Sequence, residues 1–299
     1  MKKILLFLML AVLGMTQMAA QEYEYVPFVR EGVKWVYYYN NPFSSDILDM
    51  DFGFQYFSFE MKGDVLIGDK YYKPVILTHH LDDGNEQVED DIPIYLREED
   101  KVVYAIHPDG IQHPQCPVGI FSYISNPVSL PIMVSDEEFV LYDFNDAMEL
   151  YGEGTAGEGR ILYQYTDTIM IGNHYSKCHH YQDLFLGSET NNMKIIESIG
   201  YDGKNGMPLF YFMELITGLK VGYQLSHVIE DGKIIYKGGV EGDVNGDGRA
   251  TIADVTVLID YLLGDTDQFF VNLIAADVND SGKITISDVT ALIDLLLTQ

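Results

Sequence analysis

Apolar and polar residues alternate with a period of two along most of this chain. The stretches 35–39, 52–61, 65–67, 71–77, 92–96, 102–106, 139–142, 161–165, 168–171 and 175–181 are rich in β-branched and aromatic residues and are bounded by short turn signals. That pattern predicts half-buried β-strands. Further on, 209–216 and 219–225 flank Thr217-Gly218, and 228–229 and 234–236 flank Asp231-Gly232, as hairpins in series. The turn Ile67-Gly68-Asp69-Lys70-Tyr71-Tyr72-Lys73 has a near copy in Ile171-Gly172-Asn173-His174-Tyr175-Ser176-Lys177. Gly-Asp and Gly-Asn suit the tight primed turns that match strand twist, and the repeat raises an internal duplication as one explanation. No stretch before residue 240 has convincing helical period and length, and strands do not alternate with helices. The expectation for this part is mainly β: an antiparallel, hairpin-rich sandwich or a strongly curved, barrel-like sheet.

Beyond residue 240 the period changes. Val255, Leu258, Ile259, Leu262 and Leu263 fall at helical spacing, and so do Val289, Leu292, Ile293, Leu296 and Leu297. Each stripe predicts one apolar helix face. The segments leading into them are Asp243-Val244-Asn245-Gly246-Asp247-Gly248-Arg249-Ala250-Thr251-Ile252-Ala253-Asp254 and Asp277-Val278-Asn279-Asp280-Ser281-Gly282-Lys283-Ile284-Thr285-Ile286-Ser287-Asp288. A hard cation such as Ca²⁺ takes 6–8 oxygens, and a 12-residue loop supplies them from positions 1, 3, 5, 7, 9 and 12. In the first loop these are Asp243, Asn245, Asp247, the Arg249 carbonyl, Thr251 and Asp254. The second offers Asp277, Asn279, Ser281, the Lys283 carbonyl, Thr285 and Asp288. Gly248 and Gly282 stand at position 6, where the chain turns sharply. Two Ca²⁺ sites are expected. The first loop carries three carboxylates among its ligands and the second two, so the first should bind more tightly. Asp280, at position 4, adds charge without coordinating.

The entry to the first loop is Gly238-Gly239-Val240-Glu241-Gly242 rather than a helix, and position 12 is Asp rather than the usual Glu. A duplicated loop-plus-exit-helix joined by 265–276 resembles the type I dockerin, over about 240–299. The resemblance implies a small all-α calcium-binding domain, a cohesin-bearing protein as partner, and a setting in polysaccharide breakdown. In well-studied dockerins a Ser-Thr pair at loop positions 10 and 11, with basic residues further along the helix, contacts the cohesin. Here those positions hold Ile252-Ala253 and Ile286-Ser287, and the helices carry Asp260 and Asp294. The two units repeat Thr-Ile, Asp-Val-Thr and Leu-Ile-Asp at matching positions, so a half-turn about a local two-fold axis presents nearly the same surface.

The remaining features set boundaries. Met1-Lys2-Lys3, an apolar run over 4–13 too short to span a bilayer, and Met18-Ala19-Ala20 predict a signal peptide over 1–20. The organisation expected is therefore a signal peptide, a β-rich domain over 21–237 and a dockerin domain over 238–299, exported to the periplasm, cell surface or medium, without a membrane span. The stretches 25–35 and 94–104 resemble those of exported proteins from gut-type Gram-negative bacteria, a resemblance that carries no activity. A formal net charge of −28 argues against nucleic acid and anionic membranes as partners. Acidic clusters such as Asp82-Asp83 and Asp136-Glu137-Glu138 read as solvated loop tips.

No zinc-peptidase helix, nucleophile elbow or phosphate loop is present, and the scattered histidines do not pair as ligands, since neighbours such as His179 and His180 face opposite sides of a strand. The leading expectation is a binding or structural component, not an enzyme. The alternative is a small β-sandwich glycoside hydrolase or carbohydrate-binding protein. Glu60, Glu197 and Glu214 are the candidate carboxyls, and Tyr37-Tyr38-Tyr39 with Trp35 are candidate glycan platforms. Cys116 and Cys178 are the two cysteines, and either a bridge or two buried thiols fits their number.

Overall fold

The computed structural model describes residues 23–40, 55–80, 86–89, 94–106, 138–145, 161–183, 192–203, 222–266 and 271–298. Ten strands form one sheet: β1 Val33–Asn40, β2 Gln55–Met61, β3 Val65–Ile67, β4 Lys70–His80, β5 Glu86–Glu89, β6 Tyr95–Glu99, β7 Val102–Ile106, β8 Phe139–Asp143, β13 Gly222–Glu230 and β14 Lys233–Lys237. Its order is β14-β13-β1-β2-β4-β6-β7-β8, with β3 and β5 paired to β4. A second sheet of four strands runs β12-β11-β10-β9, from β9 Ile161–Ile171, β10 His174–Asp183, β11 Asn192–Ile196 and β12 Gly200–Asp202. Every pairing among these strands is antiparallel. The large sheet ends in β14 on one side and β8 on the other, so it does not close into a barrel.

Turn chemistry explains the hairpins. Gly68 (φ 65°) and Gly172 (φ 57°) take left-handed backbone at the first central position of two-residue loops, which a residue without Cβ does at least cost. In the β13–β14 turn both Asp231 (φ 50°) and Gly232 (φ 74°) are left-handed. The near-identical Gly turns sit in different sheets, one joining β3 to β4 and the other β9 to β10. Two of the expected strands are one: Thr166 and Asp167 pair directly with His179 and Cys178, and β9 runs unbroken from Ile161 to Ile171. Likewise 222–225 and 228–229 belong to the single strand β13, whose pairing with β1 shifts register between Val36 and Tyr37, while 219–221 lie outside the described residues. The short strands β5, β11 and β12 add to those expected. The segments 1–20 and 209–216, and the turn at Thr217-Gly218, lie outside the described residues.

The two sheets share one core. Phe28, Trp35, Tyr37, Phe59, Leu77 and Tyr142 belong to the large sheet or its N-terminal lead, and Ile171, Cys178, Tyr181, Ile195, Ile199 and Tyr201 belong to the small sheet and its turn. Polar tips in this core reach across the layers. The Trp35 Nε1–H donates to the Ile199 carbonyl at 3.0 Å, and the Tyr201 N–H donates to the Tyr142 hydroxyl at 3.2 Å. Trp35 also lies 5.3 Å from Phe28, ring centre to ring centre. Cys178 is a free, fully buried thiol, and burial pushes its pKa up to about 12. Cys116 lies outside the described residues.

His227, on β13, is paired in register with Lys237. Burial first, then the nearby His80 and Lys237, push its pKa down to about 4. The unfolded imidazole titrates near 6.5, so over the interval between these values the unfolded chain binds more protons than the folded one. Stability from this group is therefore full above about pH 6.5 and is lost as pH falls towards 4. The expected loss is of the order of 2–3 kcal/mol. Urea unfolding at pH 7.5 and pH 5 should show it, and His227→Gln should flatten that pH dependence; an unchanged slope in the variant would assign the acid sensitivity elsewhere.

Candidate metal centre

Beyond β14 the chain forms α1 Ile252–Leu263, α2 Leu273–Ala276 and α3 Ile286–Thr298. Thr251 caps α1: its hydroxyl accepts from the Ala253 N–H, while the Asp254 carboxylate accepts from the Thr251 N–H at 2.8 Å. Thr285 and Asp288 repeat this arrangement at α3. Gly264 (φ 80°) closes α1, its N–H donating back to the Asp260 and Tyr261 carbonyls. The helices pack over a small core of Val244, Val255, Leu258, Val271, Ala276, Val289 and Leu292. Only the first half of each expected apolar stripe is buried. Leu263 and Leu297 are exposed, and Ile259, Leu262 and Ile293 lie partly open.

The two loops have the same backbone. Left-handed residues stand at positions 4 and 6 of each: Gly246 (φ 71°) and Gly248 (φ 88°), then Asp280 (φ 56°) and Gly282 (φ 76°). Those turns aim successive N–H groups at the loop's own oxygens. The Gly248 N–H donates to Asp243 Oδ2 at 2.7 Å, and the Gly282 N–H to Asp277 Oδ2 at 2.8 Å. The Asp247 N–H donates to Asn245 Oδ1 at 2.9 Å, and the Ser281 N–H to Asn279 Oδ1 at 3.0 Å. Across each loop, Asn245 N–H meets Asp254 Oδ1 at 2.9 Å and Asn279 N–H meets Asp288 Oδ1 at 3.2 Å. The side chains at positions 1, 3, 5 and 12 of the expected ligand sets are thus each bonded within their own loop. Thr251 and Thr285 join them, each donating its hydroxyl to the carboxylate at position 12. Arg249 and Lys283 contribute backbone, and the Lys283 carbonyl accepts from the Ser281 hydroxyl at 3.0 Å.

The donor set fits a hard divalent cation. Asp254 and Asp288 are completely buried, and Asp243 is nearly so. Among the described residues, the hydrogen-bond partners of Asp254 and Asp288 are backbone N–H groups and a threonine hydroxyl, not cationic side chains. Burying carboxylates with so little positive charge is costly unless a cation shares the site.

Residues 241–297 match the family of the dockerin type I domain. The tail is a type I dockerin domain. Dockerins bind calcium and dock onto cohesins, which agrees with the oxygen-only donor set of the loops. No curated protein and no solved structure matches the chain. Among the described residues, no helix is long and apolar enough to cross a membrane.

Candidate residues in the β domain are drawn into structural pairings. Glu60 bonds Lys34 at 2.9 Å and Lys62 at 2.7 Å on the large sheet. Glu197, on the small-sheet side, is buried and accepts from the Tyr23 hydroxyl at 2.8 Å and the Lys177 N–H at 2.9 Å. Glu214 lies outside the described residues. Trp35, Tyr37 and Tyr38 are buried, so none is a surface platform for a sugar. His179 bonds Thr166 across the strand pair, while His180 bonds Asp167 at 3.0 Å and stacks on Tyr165. Asp167, Cys178 and His180 have ligand atoms within 4.8 Å of one another, but Cys178 is a core thiol and the His–Asp pair already satisfies itself.

The sequence reading missed the contacts that join the dockerin to the large sheet. Asn272 caps α2, accepting from the Ala275 N–H at 3.2 Å, and its N–H donates to the Val244 carbonyl at 2.8 Å. The Tyr38 hydroxyl of β1 lies against Asn272, and the Tyr56 hydroxyl of β2 lies against the Leu273 backbone. An Asn before the apolar run 273–276 is an N-cap signal, so α2 itself was within reach of pattern reasoning.

Proposed function

We propose that this protein is a calcium-dependent docking component that carries its β domain to a cohesin-bearing partner in extracellular polysaccharide-handling machinery. Asp243, Asn245, Asp247, the Arg249 carbonyl, Thr251 and Asp254 hold one Ca²⁺. The other is held by Asp277, Asn279, Ser281, the Lys283 carbonyl, Thr285 and Asp288. Bound calcium offsets the repulsion among carboxylates buried in each loop. The chain's own part is to close the loop, cap the following helix through Asp254 or Asp288, and hold Ile252 and Ile286 at its surface.

The observation that carries this reading is the symmetry of the exposed positions. Ile252 is 72% exposed and Ile286 70%, each directly after the threonine that caps its helix. An isoleucine so open costs solvation in the free protein and gains it back under a partner. Because the two units are alike, the partner can seat in either of two orientations.

The test is capture of the full chain on cohesin domains in calcium. Ile252→Asp or Ile286→Asp alone should weaken capture only a few-fold, whereas the double variant should lose it and still bind calcium. Loss with one single variant would reject the two orientations. Normal capture of the double variant would move the contact elsewhere.

A further inference from the structure

Among the described residues, Lys237 bonds the second calcium loop to the β domain. The Lys237 ammonium, at the end of β14, donates to the Asp277 carbonyl at 2.8 Å and is ion-paired with the Asp280 carboxylate. Asp277 opens the second loop, and Asp280 holds its position 4 in left-handed backbone (φ 56°), where the first loop has Gly246. A non-glycine residue accepts that conformation at a cost, which Asp tolerates better than most. The acid placed there turns its charge toward Lys237.

The lysine is held in place. Gly238 follows it with its N–H bonded to the Ser226 carbonyl at 2.9 Å, and a Cβ there would come within 2.3 Å of the Leu225 carbonyl oxygen. At Gly239 (φ 76°) a Cβ would come within 2.3 Å of the Gln224 amide nitrogen, and the Gly239 N–H donates to Asp202 at 3.2 Å. The backbone that follows Lys237 is therefore fixed against β13 and Asp202.

We infer that Lys237 is a tuning residue which lowers the calcium affinity of the second loop. This inference rests on the calcium reading above. Two effects of the ammonium act in the same direction. It places a like charge against the loop, and it engages the Asp280 carboxylate, whose field would otherwise attract the cation. The first loop has no counterpart, since its position 4 is glycine. The inequality expected from ligand charge is thereby widened. By linkage, calcium in the second loop loosens the Lys237 contact by the same factor.

Lys237 and Asp280 are partly solvated, with side-chain exposures of 32% and 75%, so the effect is modest and salt-sensitive. Calorimetric calcium titration of the full chain at low ionic strength tests it, with Asp288→Ala identifying the step that belongs to the second loop. Lys237→Met, which keeps the stem and removes the charge, should tighten that step roughly threefold to fivefold, and the gain should shrink as salt is added. Lys237→Arg should leave it within about twofold. If both calcium steps are present and Lys237→Met leaves the second unchanged or weaker, the tuning role is overturned while the calcium sites stand. If the wild type takes up fewer than two ions, or Asp288→Ala keeps both, the two-site reading falls and this inference with it.

Discussion

In chelator the dockerin is expected to lose its helices while the sheets stay folded. Its core amounts to the seven buried residues around Leu258 and Leu292, and α1 and α3 are 12 and 13 residues long. Isolated helices of about this length are marginal in water, and domains of this size commonly need a metal or another staple. The carboxylates of Asp254 and Asp288 add a cost of their own, since folding buries them completely. Calcium at a hundredfold excess over Kd returns about 2.7 kcal/mol per site. Far-ultraviolet circular dichroism of the 238–299 fragment should change from largely unfolded to helical on adding calcium. In the full chain, the same change should appear as an early, calcium-sensitive unfolding step. Identical spectra in calcium and chelator would show that the apolar core alone holds the domain.

Trp35→Ala should be the most damaging single change in the β domain. The ring is fully buried between the sheets, and its N–H satisfies the carbonyl of Ile199 on the opposite layer. Truncation costs the transfer and cavity terms of an aromatic, and it leaves a buried carbonyl without its donor; together these come to about 4 kcal/mol or more. That is a large share of the stability of an ordinary domain. Trp35→Phe keeps most of the volume and should lose much less, about 1–2 kcal/mol. Trp35 is the single tryptophan, so unfolding is followed by circular dichroism rather than fluorescence. A loss below about 1.5 kcal/mol for Trp35→Ala would mean that the sheets are joined chiefly elsewhere.

The repeated loop conformation was legible because the candidate oxygens lie within twelve consecutive residues and each loop turns at a glycine in position 6. Hairpins were legible for the same reason: Gly68, Gly172 and the Asp231-Gly232 pair specify turns locally. What depends on distant partners was not. β12 has only three residues, too few to display a period, and it exists because β11 pairs with it. Ile259, Leu262, Leu263 and Leu297 have helical spacing, yet a stripe is buried only where a neighbour covers it, and each long helix has chiefly the other to pack against. Lys237 carried no signal at all. Its role follows from where β14 ends relative to Asp277 and Asp280.

Gly238 and Gly239 look in sequence like a pliable tether, but Gly238 abuts the Leu225 backbone of β13 with no room for a side chain, and Gly239, in left-handed backbone, abuts the Gln224 side chain. The β domain is therefore a handle welded to the dockerin rather than a weight on a string. If a cohesin accepts the dockerin in either of two poses related by a half-turn, the handle points to one of two fixed directions and to nothing between. Neighbouring units on one scaffold could then alternate sides, and crowding along it would be relieved by flipping the plug instead of bending the linker.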